Sequence, residues 1–186
     1  KLYPDERIVN RIDEWLAEGV FMDADGHYPE RSQNYAMVEN NSLITLARML
    51  GKKDLLNPVR RNLSMTYYYM EPNGDLVVND SRRQDQWTSK RMVAFYLHYR
   101  YMAIHDVHPT YSGIAQLIES FDDFDKEVVR QGLIYFLDDP ILQQELPSPV
   151  KPETNFEKLF STSSLLRIRR NNITSTLFGG TDLPLL

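Results

Sequence analysis

The stretch Asp23–Asn40, DADGHYPERSQNYAMVEN, is the part of the chain from which we predict both the fold and the site. Its Asp25-Gly26 pair predicts a tight turn, because glycine readily adopts the positive φ that such turns require. Residues 27–35 are nearly all polar or aromatic, and a helix is predicted to begin near Asn34. A polar loop thus precedes a helix N-terminus, where free backbone N–H groups and the helix dipole favour anionic ligands. The pattern indicates a site for an acidic sugar.

Length, charge and composition exclude several classes of protein. With 186 residues the chain is long enough for one domain with a sizeable core. Its formal charge of -5 argues against nucleic acid as the main partner, because that partner requires a basic face. Cysteine is absent, which excludes disulfides and thiolate zinc sites, and no apolar run approaches the length of a membrane span. The histidine spacing gives no metal set, so we expect neither a metal nor a cofactor.

Helical periodicity covers most of the first 146 residues. Apolar residues recur at helical spacing in six segments, which are separated by glycine, proline or Asn-Gly turns. The predicted helices span about residues 4–19, 34–50, 54–70, 88–105, 109–118 and 122–139, with a short strand at 75–79. The predicted fold class is therefore mainly α, built of antiparallel helical hairpins.

The sequence changes character near residue 147. Three prolines in PSPVKPETN predict a linker, to which we assign residues 147–163. After it, residues 164–168 (SLLRI) and 173–178 (ITSTLF) are typical of two strands joined as a β-hairpin. A lone hairpin is marginal in water, so we predict that residues 164–186 open a β domain of a longer protein, after the helical domain 1–146.

Two parts of the helical region share a plan of helix, turn and polar run. The glycines of the two turns, Gly26 and Gly74, lie 48 residues apart. A period of that length holds one α-hairpin of a helical repeat, and stacked hairpins bring alternate loops to the same end. We therefore predict that the polar runs 27–35 and 81–86 form one site. The alternative is a chance likeness between two ordinary loops.

The two polar runs supply the candidate substrate-binding residues. Arg82 and Arg83 suit the recognition of carboxylate or sulfate, because a guanidinium offers a planar fork of donors. The full candidate set is Glu30, Arg31, Gln33, Arg82, Arg83, Asp85 and Gln86. The structural alternatives are a loop ion pair between Glu30 and Arg31 and a solvated surface pair at Arg82 and Arg83.

The longer string DGHYPERSQNYAMVENNSLITLARMLG resembles the heparinase II/III-like polysaccharide lyases, in which a turn, an E-R-S-type run and an aromatic stretch lead into a helix of an α/α toroid. The segment RIRRNNITSTLFGG is similar to the first strands of the β-sandwich that follows the toroid in that family. The resemblance implies part of an α/α toroid followed by the start of a C-terminal β-sheet domain. It also implies a carbohydrate-active enzyme that is periplasmic or secreted.

The resemblance further implies β-elimination on uronic-acid-containing polysaccharides or oligosaccharides. In that chemistry an amide or a cation stabilises the substrate carboxylate, a base takes the C5 proton, and an acid protonates the leaving oxygen. By the resemblance, Asn34 and Gln33 would fill the first role. Tyr35, or Tyr28 with His27, would fill the other two. Several relatives place a histidine beside the amide or tyrosine of this motif, whereas this sequence has none there.

Other interpretations of the same residues stay open. Tyr35 also fits the apolar stripe of its helix, and Asn34 suits a helix N-cap. The whole chain is also compatible with a non-catalytic helical-repeat domain that binds glycan or packs against a protein partner. A third alternative is a glycoside hydrolase on the same toroid, with its two carboxylates drawn from Glu30, Glu39 and Asp85.

Overall fold

The computed structural model describes residues 5–180. Its helices are α1 Glu6–Ala17, α2 Gln33–Leu50, α3 Leu56–Thr66, α4 Tyr96–His105, α5 Pro109–Glu119, α6 Phe124–Gln131 and α7 Leu133–Asp138. Its strands are β1 Asp75–Leu76, β2 Lys90–Arg91, β3 Asn155–Phe160, β4 Leu165–Arg170 and β5 Ile173–Phe178. β1 and β2 form an antiparallel pair, and β3, β4 and β5 form an antiparallel sheet in that order. The predicted helix start at residue 4 and the last six residues of the predicted β domain lie outside the described residues.

The turn that opens the site has the predicted backbone conformation. The Asp23 carboxylate accepts hydrogen bonds from three successive backbone N–H groups, at distances of 2.9 to 3.0 Å. Gly26 has a φ of 103°, and a Cβ there would lie 2.7 Å from the carbonyl oxygen of Arg61. Glycine is therefore required at this position, both for its φ and for the close approach to α3.

The boundaries of α2 follow from its capping residues. Ser32 is the N-cap, because its Oγ accepts a hydrogen bond from the N–H of Tyr35 at 3.2 Å. Asn34 therefore lies within the first turn and is not the N-cap. The helix ends at Leu50, where Gly51 takes a left-handed conformation with a φ of 68°.

The structure differs from the sequence prediction at the start of α4. The sequence predicts one helix over 88–105, whereas α4 begins only at Tyr96, after a short 3-10 turn. Lys90 and Arg91 instead form β2, which pairs with β1. The Arg91 guanidinium also donates to both carboxylate oxygens of Asp123, at 2.8 and 2.9 Å. These tertiary contacts outweigh the helical spacing of the segment.

The C-terminal sheet contains the predicted hairpin and one more strand. β4 and β5 form the hairpin, but β3 lies within residues 147–163, which the sequence predicts as a linker. β3 pairs with β4 from Asn155↔Arg170 to Phe160↔Leu165. Only Phe156 and Phe160 of this strand are buried, four residues apart on one face. With charged and exposed residues between them, the strand lacks the alternation that would have revealed it.

One hydrophobic core unites the helices and the three-stranded sheet. Phe160 and Leu165 are 2% and 0% exposed, and they belong to the same buried cluster as Tyr69 and Met102. The prediction of an α/α toroid is therefore wrong, because the described residues form a small mixed α/β domain that is 53% helical. The helical spacing marks real helices, but the sheet, and not a further ring of hairpins, covers one side of the core.

A buried arginine fastens the sheet to the helical layer. Arg167 on β4 is 0% exposed. Its guanidinium donates to the carbonyl oxygens of Tyr68 and Met70, at 3.1 and 3.3 Å. It also donates to Glu71 Oε1 at 2.7 Å and to Thr176 Oγ1. A buried charge requires this degree of pairing, so the contacts define how the sheet sits on the end of α3.

Candidate functional site

The two polar runs, 27–35 and 81–86, lie against each other. The backbone N–H of Arg82 donates to the carbonyl oxygen of Glu30 at 2.9 Å. Its guanidinium lies 3.3 Å from the carbonyl oxygen of Pro29. The runs therefore share one end of the domain, although the toroid that motivated this expectation is not formed by the described residues.

The buried Asp85 connects the two polar runs through hydrogen bonds. It is 8% exposed, and its Oδ2 accepts hydrogen bonds from Ser32 Oγ at 2.5 Å and from Asn34 Nδ2 at 3.2 Å. Its Oδ1 accepts a hydrogen bond from Ser81 Oγ at 2.6 Å. Both carboxylate oxygens are therefore occupied, as is usual for a buried polar group. Because Ser32 also caps α2, Asp85 positions the beginning of this helix instead of facing a substrate.

The solvent-facing part of the site is the Tyr35–Arg83 pair. Tyr35 is 37% exposed. Nη2 of Arg83 lies 3.0 Å from the phenol oxygen of Tyr35, and the guanidinium carbon lies 4.8 Å from the ring centroid. Nε of Arg83 is buried and has no hydrogen-bond partner among the described residues. The guanidinium thus contacts both the ring and the hydroxyl of a phenol that solvent can reach.

Trp87 is a residue of this region that the sequence analysis missed. It ends the short 3-10 segment Gln84–Trp87 and is 82% exposed. An exposed indole provides a flat apolar face on which a sugar ring can stack. The sequence feature that could have identified Trp87 is a large aromatic residue directly after the polar run 81–86. Gln86, which was a candidate, donates to the carbonyl oxygen of Asn79 at 2.8 Å and supports the loop.

Two predicted catalytic residues are buried. His27 and Tyr28 are 2% and 3% exposed, so neither reaches a polymeric substrate. The Tyr28 hydroxyl donates to Asn40 Oδ1 at 2.8 Å, and burial raises the pKa of Tyr28 above its ordinary value of 10.0. Asn40 in turn donates to Asn62 Oδ1 at 2.8 Å, which links α2 to α3. The structure thus places Tyr28 in the packing of two helices.

His27 belongs to a buried polar cluster, which consists of His27, Tyr69, Asp80 and Ser163. The Tyr69 hydroxyl donates to Asp80 Oδ2 at 2.7 Å, and it lies 3.0 Å from His27 Nε2 and 3.3 Å from Ser163 Oγ. Burial lowers the pKa of His27 and raises the pKa of Asp80 and of Tyr69, although the charges of His27 and Asp80 oppose these shifts in each other. No local sequence pattern predicts that Ser163, which is far along the chain from the other three residues, joins this cluster.

The loop that precedes α2 is anchored to the turn between β3 and β4. The Thr162 backbone N–H donates to Asp25 Oδ2 at 2.7 Å, and its hydroxyl donates to Asp23 Oδ2 at 2.8 Å. Arg31 is 9% exposed and donates to the carbonyl oxygen of Thr162 at 2.5 Å. Arg31 was a candidate substrate-binding residue, but these contacts make it an anchor of the loop.

The remaining candidates near the start of α2 carry unused acceptor atoms. Gln33 is 2% exposed, and its Oε1 has no hydrogen-bond partner among the described residues. The same holds for Oε2 of Glu30 and of Glu39. Burial and the neighbouring Glu30 raise the pKa of Glu39 to about 7. Glu39 is therefore partly protonated at neutral pH, which sets it apart from the exposed carboxylates of the chain.

The described residues contain neither a group of metal-binding side chains nor a helix that could span a membrane. Within residues 5–180, no three histidine, aspartate or glutamate side chains are grouped so that they could hold a metal ion. None of the helices in this range is both long and apolar enough to cross a bilayer. Comparison with protein-family models, with curated proteins and with solved structures gives no match for this chain.

Proposed function

We propose that this chain is a carbohydrate-active protein that binds uronic-acid-containing polysaccharides or oligosaccharides at the Tyr35–Arg83 pair and cleaves them by β-elimination. The observation that supports the proposal is the surface contact between these two side chains, with the guanidinium 3.0 Å from the phenol oxygen. Among the five residues to which the resemblance to heparinase II/III-like lyases gives a role in elimination, Tyr35 is the exposed one. With such a substrate we also propose a periplasmic or secreted location.

Tyr35 and Arg83 have separate roles in the proposed elimination. Tyr35, in its phenolate form, takes the proton from C5 of the uronate and becomes a phenol, the C4–O bond breaks, and a C4=C5 double bond forms. The departing oxygen then receives the proton that Tyr35 has taken up. Arg83 binds the uronate carboxylate, over which negative charge spreads as the C5 proton leaves. The exposed face of Trp87 supports a neighbouring sugar ring of the polymer.

A second candidate function, glycoside hydrolysis, is favoured by Glu39. Hydrolysis requires one carboxylic acid that stays protonated near neutral pH and one carboxylate. Glu39, with a pKa of about 7, would be the acid, and Glu30 would be the carboxylate. Asp85 is unsuited to either role because serine and asparagine side chains occupy both of its oxygens.

The test is an assay of the full chain against a panel of acidic glycans, each measured in three ways. Ultraviolet absorbance detects the unsaturated sugar that elimination leaves, new reducing ends detect any cleavage, and calorimetry detects binding. Elimination predicts that absorbance and reducing ends rise together. Reducing ends without absorbance would support the hydrolase. Binding without cleavage would leave a glycan-binding domain, and the absence of all three signals would refute the proposal.

A further inference from the structure

A concave region separate from the Tyr35–Arg83 pair lies between the turn at Asp25, α3, the beginning of α5 and β3. Its volume is about 480 Å³, which is within the range of small-molecule sites. We call it the α3–α5 groove. No local sequence pattern predicts this groove, because its lining residues come from four separate parts of the chain.

Three cationic side chains line this groove, namely Arg60, Arg61 and Lys158. Arg60 is neutralised by Asp106, with its Nε and Nη2 at 2.7 and 2.8 Å from the two carboxylate oxygens. Within residues 5–180, neither Arg61 nor Lys158 forms a salt bridge. The groove therefore carries two positive charges that the described protein does not neutralise. An oxyanion placed there would gain charge-assisted hydrogen bonds.

One acid, Asp25, also lines the groove. Its Oδ2 accepts a hydrogen bond from the Thr162 backbone N–H at 2.7 Å and is not paired with Arg61 or Lys158. Against this one carboxylate, the two cations leave the lining with an excess of positive charge. Arg61 donates to the carbonyl oxygen of Asp23 at 2.6 Å through Nη2, and this contact directs the guanidinium without neutralising it. The fold thus orients the cation of Arg61 and leaves its charge for a ligand.

Aromatic rings form the walls of the groove. His108 and Tyr111 are stacked, with ring centroids 4.1 Å apart and an interplanar angle of 16°. Tyr67 and Tyr68 meet edge to face at 5.7 Å, and Lys158 Nζ lies 5.0 Å from the Tyr68 ring centroid. His108 Nδ1 accepts a hydrogen bond from the Tyr111 N–H at 3.3 Å, so the other ring nitrogen carries the proton and is a donor.

We propose that the α3–α5 groove binds a small ring compound that carries one oxyanion group. The oxyanion, a carboxylate or a phosphate monoester, lies between Arg61 and Lys158. The ring packs against the half-buried rings of Tyr68 and His108, because a flat or puckered ring covers an aromatic face better than a chain does. This inference does not depend on the function proposed for the Tyr35–Arg83 pair, since the two sites share no residue.

Calorimetry of the full chain at low salt tests the proposal with five probes. Glucuronate and glucose 6-phosphate carry a sugar ring with each type of oxyanion, and adenosine 5′-monophosphate carries an aromatic ring. Glucose lacks the charge, and inorganic phosphate lacks the ring. We expect the three ring anions to bind, glucose not to bind, and phosphate, which lacks the ring contact, to bind about tenfold more weakly, a difference of about 1.4 kcal/mol. Which ring anion binds best identifies the source of the ligand.

The matched variants are the pair Arg61→Gln with Lys158→Gln and the control pair Lys126→Gln with Arg130→Gln. Both pairs remove two positive charges from exposed side chains, but the control pair lies on α6. The groove pair should raise Kd by roughly tenfold or more, as expected for charge-assisted contacts, and it should leave the thermal midpoint nearly unchanged. Equal weakening by both pairs, or no binding of any ring anion at millimolar concentration, would overturn the proposal. Loss of binding in Arg83→Gln alone would assign the ligand to the other site.

Discussion

The Tyr35–Arg83 pair and the buried polar cluster both centre on a tyrosine hydroxyl. Each combines that hydroxyl with ionisable neighbours at 2.7 to 3.0 Å. In the pair the phenol is 37% exposed, whereas Tyr69 in the cluster is 0% exposed. A dense set of titratable groups therefore indicates function only where a substrate can reach it. In the cluster, the same chemistry holds the loop and the sheet together.

The variant Tyr35→Phe should have the largest effect and tests the exposed side of this comparison. It removes the hydroxyl and keeps the ring, so turnover should fall by the roughly 10²–10⁴-fold that positioned acid–base groups contribute. Stability should change little, since an exposed hydroxyl is lost. The measurement is steady-state kinetics on the glycan that the assay identifies. Tyr135→Phe, at a tyrosine that is 40% exposed on α7, is the control and should keep full activity. Unchanged turnover in Tyr35→Phe would remove this residue from the mechanism.

The variant Tyr69→Phe tests the buried side. Its hydroxyl is the donor to Asp80 Oδ2, and Asp80 Oδ1 already has no partner in the described part of the chain. The free energy of unfolding should therefore fall by about 1–3 kcal/mol, the cost of leaving a buried polar group unsatisfied. Urea denaturation measures this loss. Tyr99→Phe is the matched control, since the buried Tyr99 hydroxyl contacts one backbone carbonyl, that of Leu63, at 2.7 Å. A smaller loss in Tyr69→Phe than in the control would contradict the anchoring role of the cluster.

The variant Tyr28→Phe compares a buried candidate tyrosine with the exposed Tyr35. Tyr28 and Tyr35 are both tyrosines to which the resemblance assigns catalysis, but only Tyr35 is exposed. Loss of the hydrogen bond from Tyr28 to Asn40 should cost roughly 0.5–1.5 kcal/mol of stability. Turnover per folded molecule should be unchanged. A large fall in turnover at full folding would show that Tyr28 acts in catalysis despite its burial.

The pH dependence of stability separates the cluster from ordinary surface groups. Burial holds the pKa of His27 below its ordinary value of 6.5, so below that pH the unfolded chain binds a proton that the folded chain does not. Stability should therefore fall as the solution is acidified from about pH 7.5 to 5.5. In His27→Gln this fall should be smaller, whereas His105→Gln, at a half-buried histidine beside Asp106, serves as the control.

The titration of Asp80 changes the stability in the opposite direction to that of His27. Its pKa is raised by burial, so the folded chain takes up a proton on acidification before the unfolded chain does, which adds stability. Removing that contribution with Asp80→Asn should steepen the loss of stability when acidification is continued towards the ordinary carboxyl pKa of 3.8. Identical slopes over the whole acidification in the wild-type chain, His27→Gln and Asp80→Asn would show that the cluster does not contribute to the pH dependence.

Local rules predicted the parts of the fold that depend on neighbouring residues. The turn at Gly26, the end of α2 at Gly51 and the strand Ile173–Phe178 all follow from backbone preference or from alternation within a few residues. The start of α4 and the strand β3 could not be predicted in this way, because contacts with distant segments determine them. The toroid failed for the same reason, since hairpin spacing does not reveal what covers the core.

The candidate site could also be predicted only in part from the sequence. The adjacency of the two polar runs could be expected from their similar surroundings, and the structure brings them into direct contact at Glu30 and Arg82. The sequence could not tell which polar residues point outward. Arg31 and Asp85 are charged and sit in loops, yet hydrogen bonds to the protein occupy them, and Tyr35 looks like a core residue but is exposed. Burial is a property of the whole fold, and helical spacing approximates it only on regular helices.

The contacts of Thr162 with the loop before α2 also determine when this loop can become ordered. The hydrogen bond from the Thr162 hydroxyl to Asp23 joins residues 139 positions apart. Contacts of such long sequence separation form late in folding, since the entropy of closing the intervening chain must be overcome first. During synthesis the helices can begin to pack while this loop still lacks its anchor. A nascent chain that has not yet extended beyond β3 would therefore expose the turn at Gly26 to proteases, and it would become resistant only after the C-terminal strands have docked.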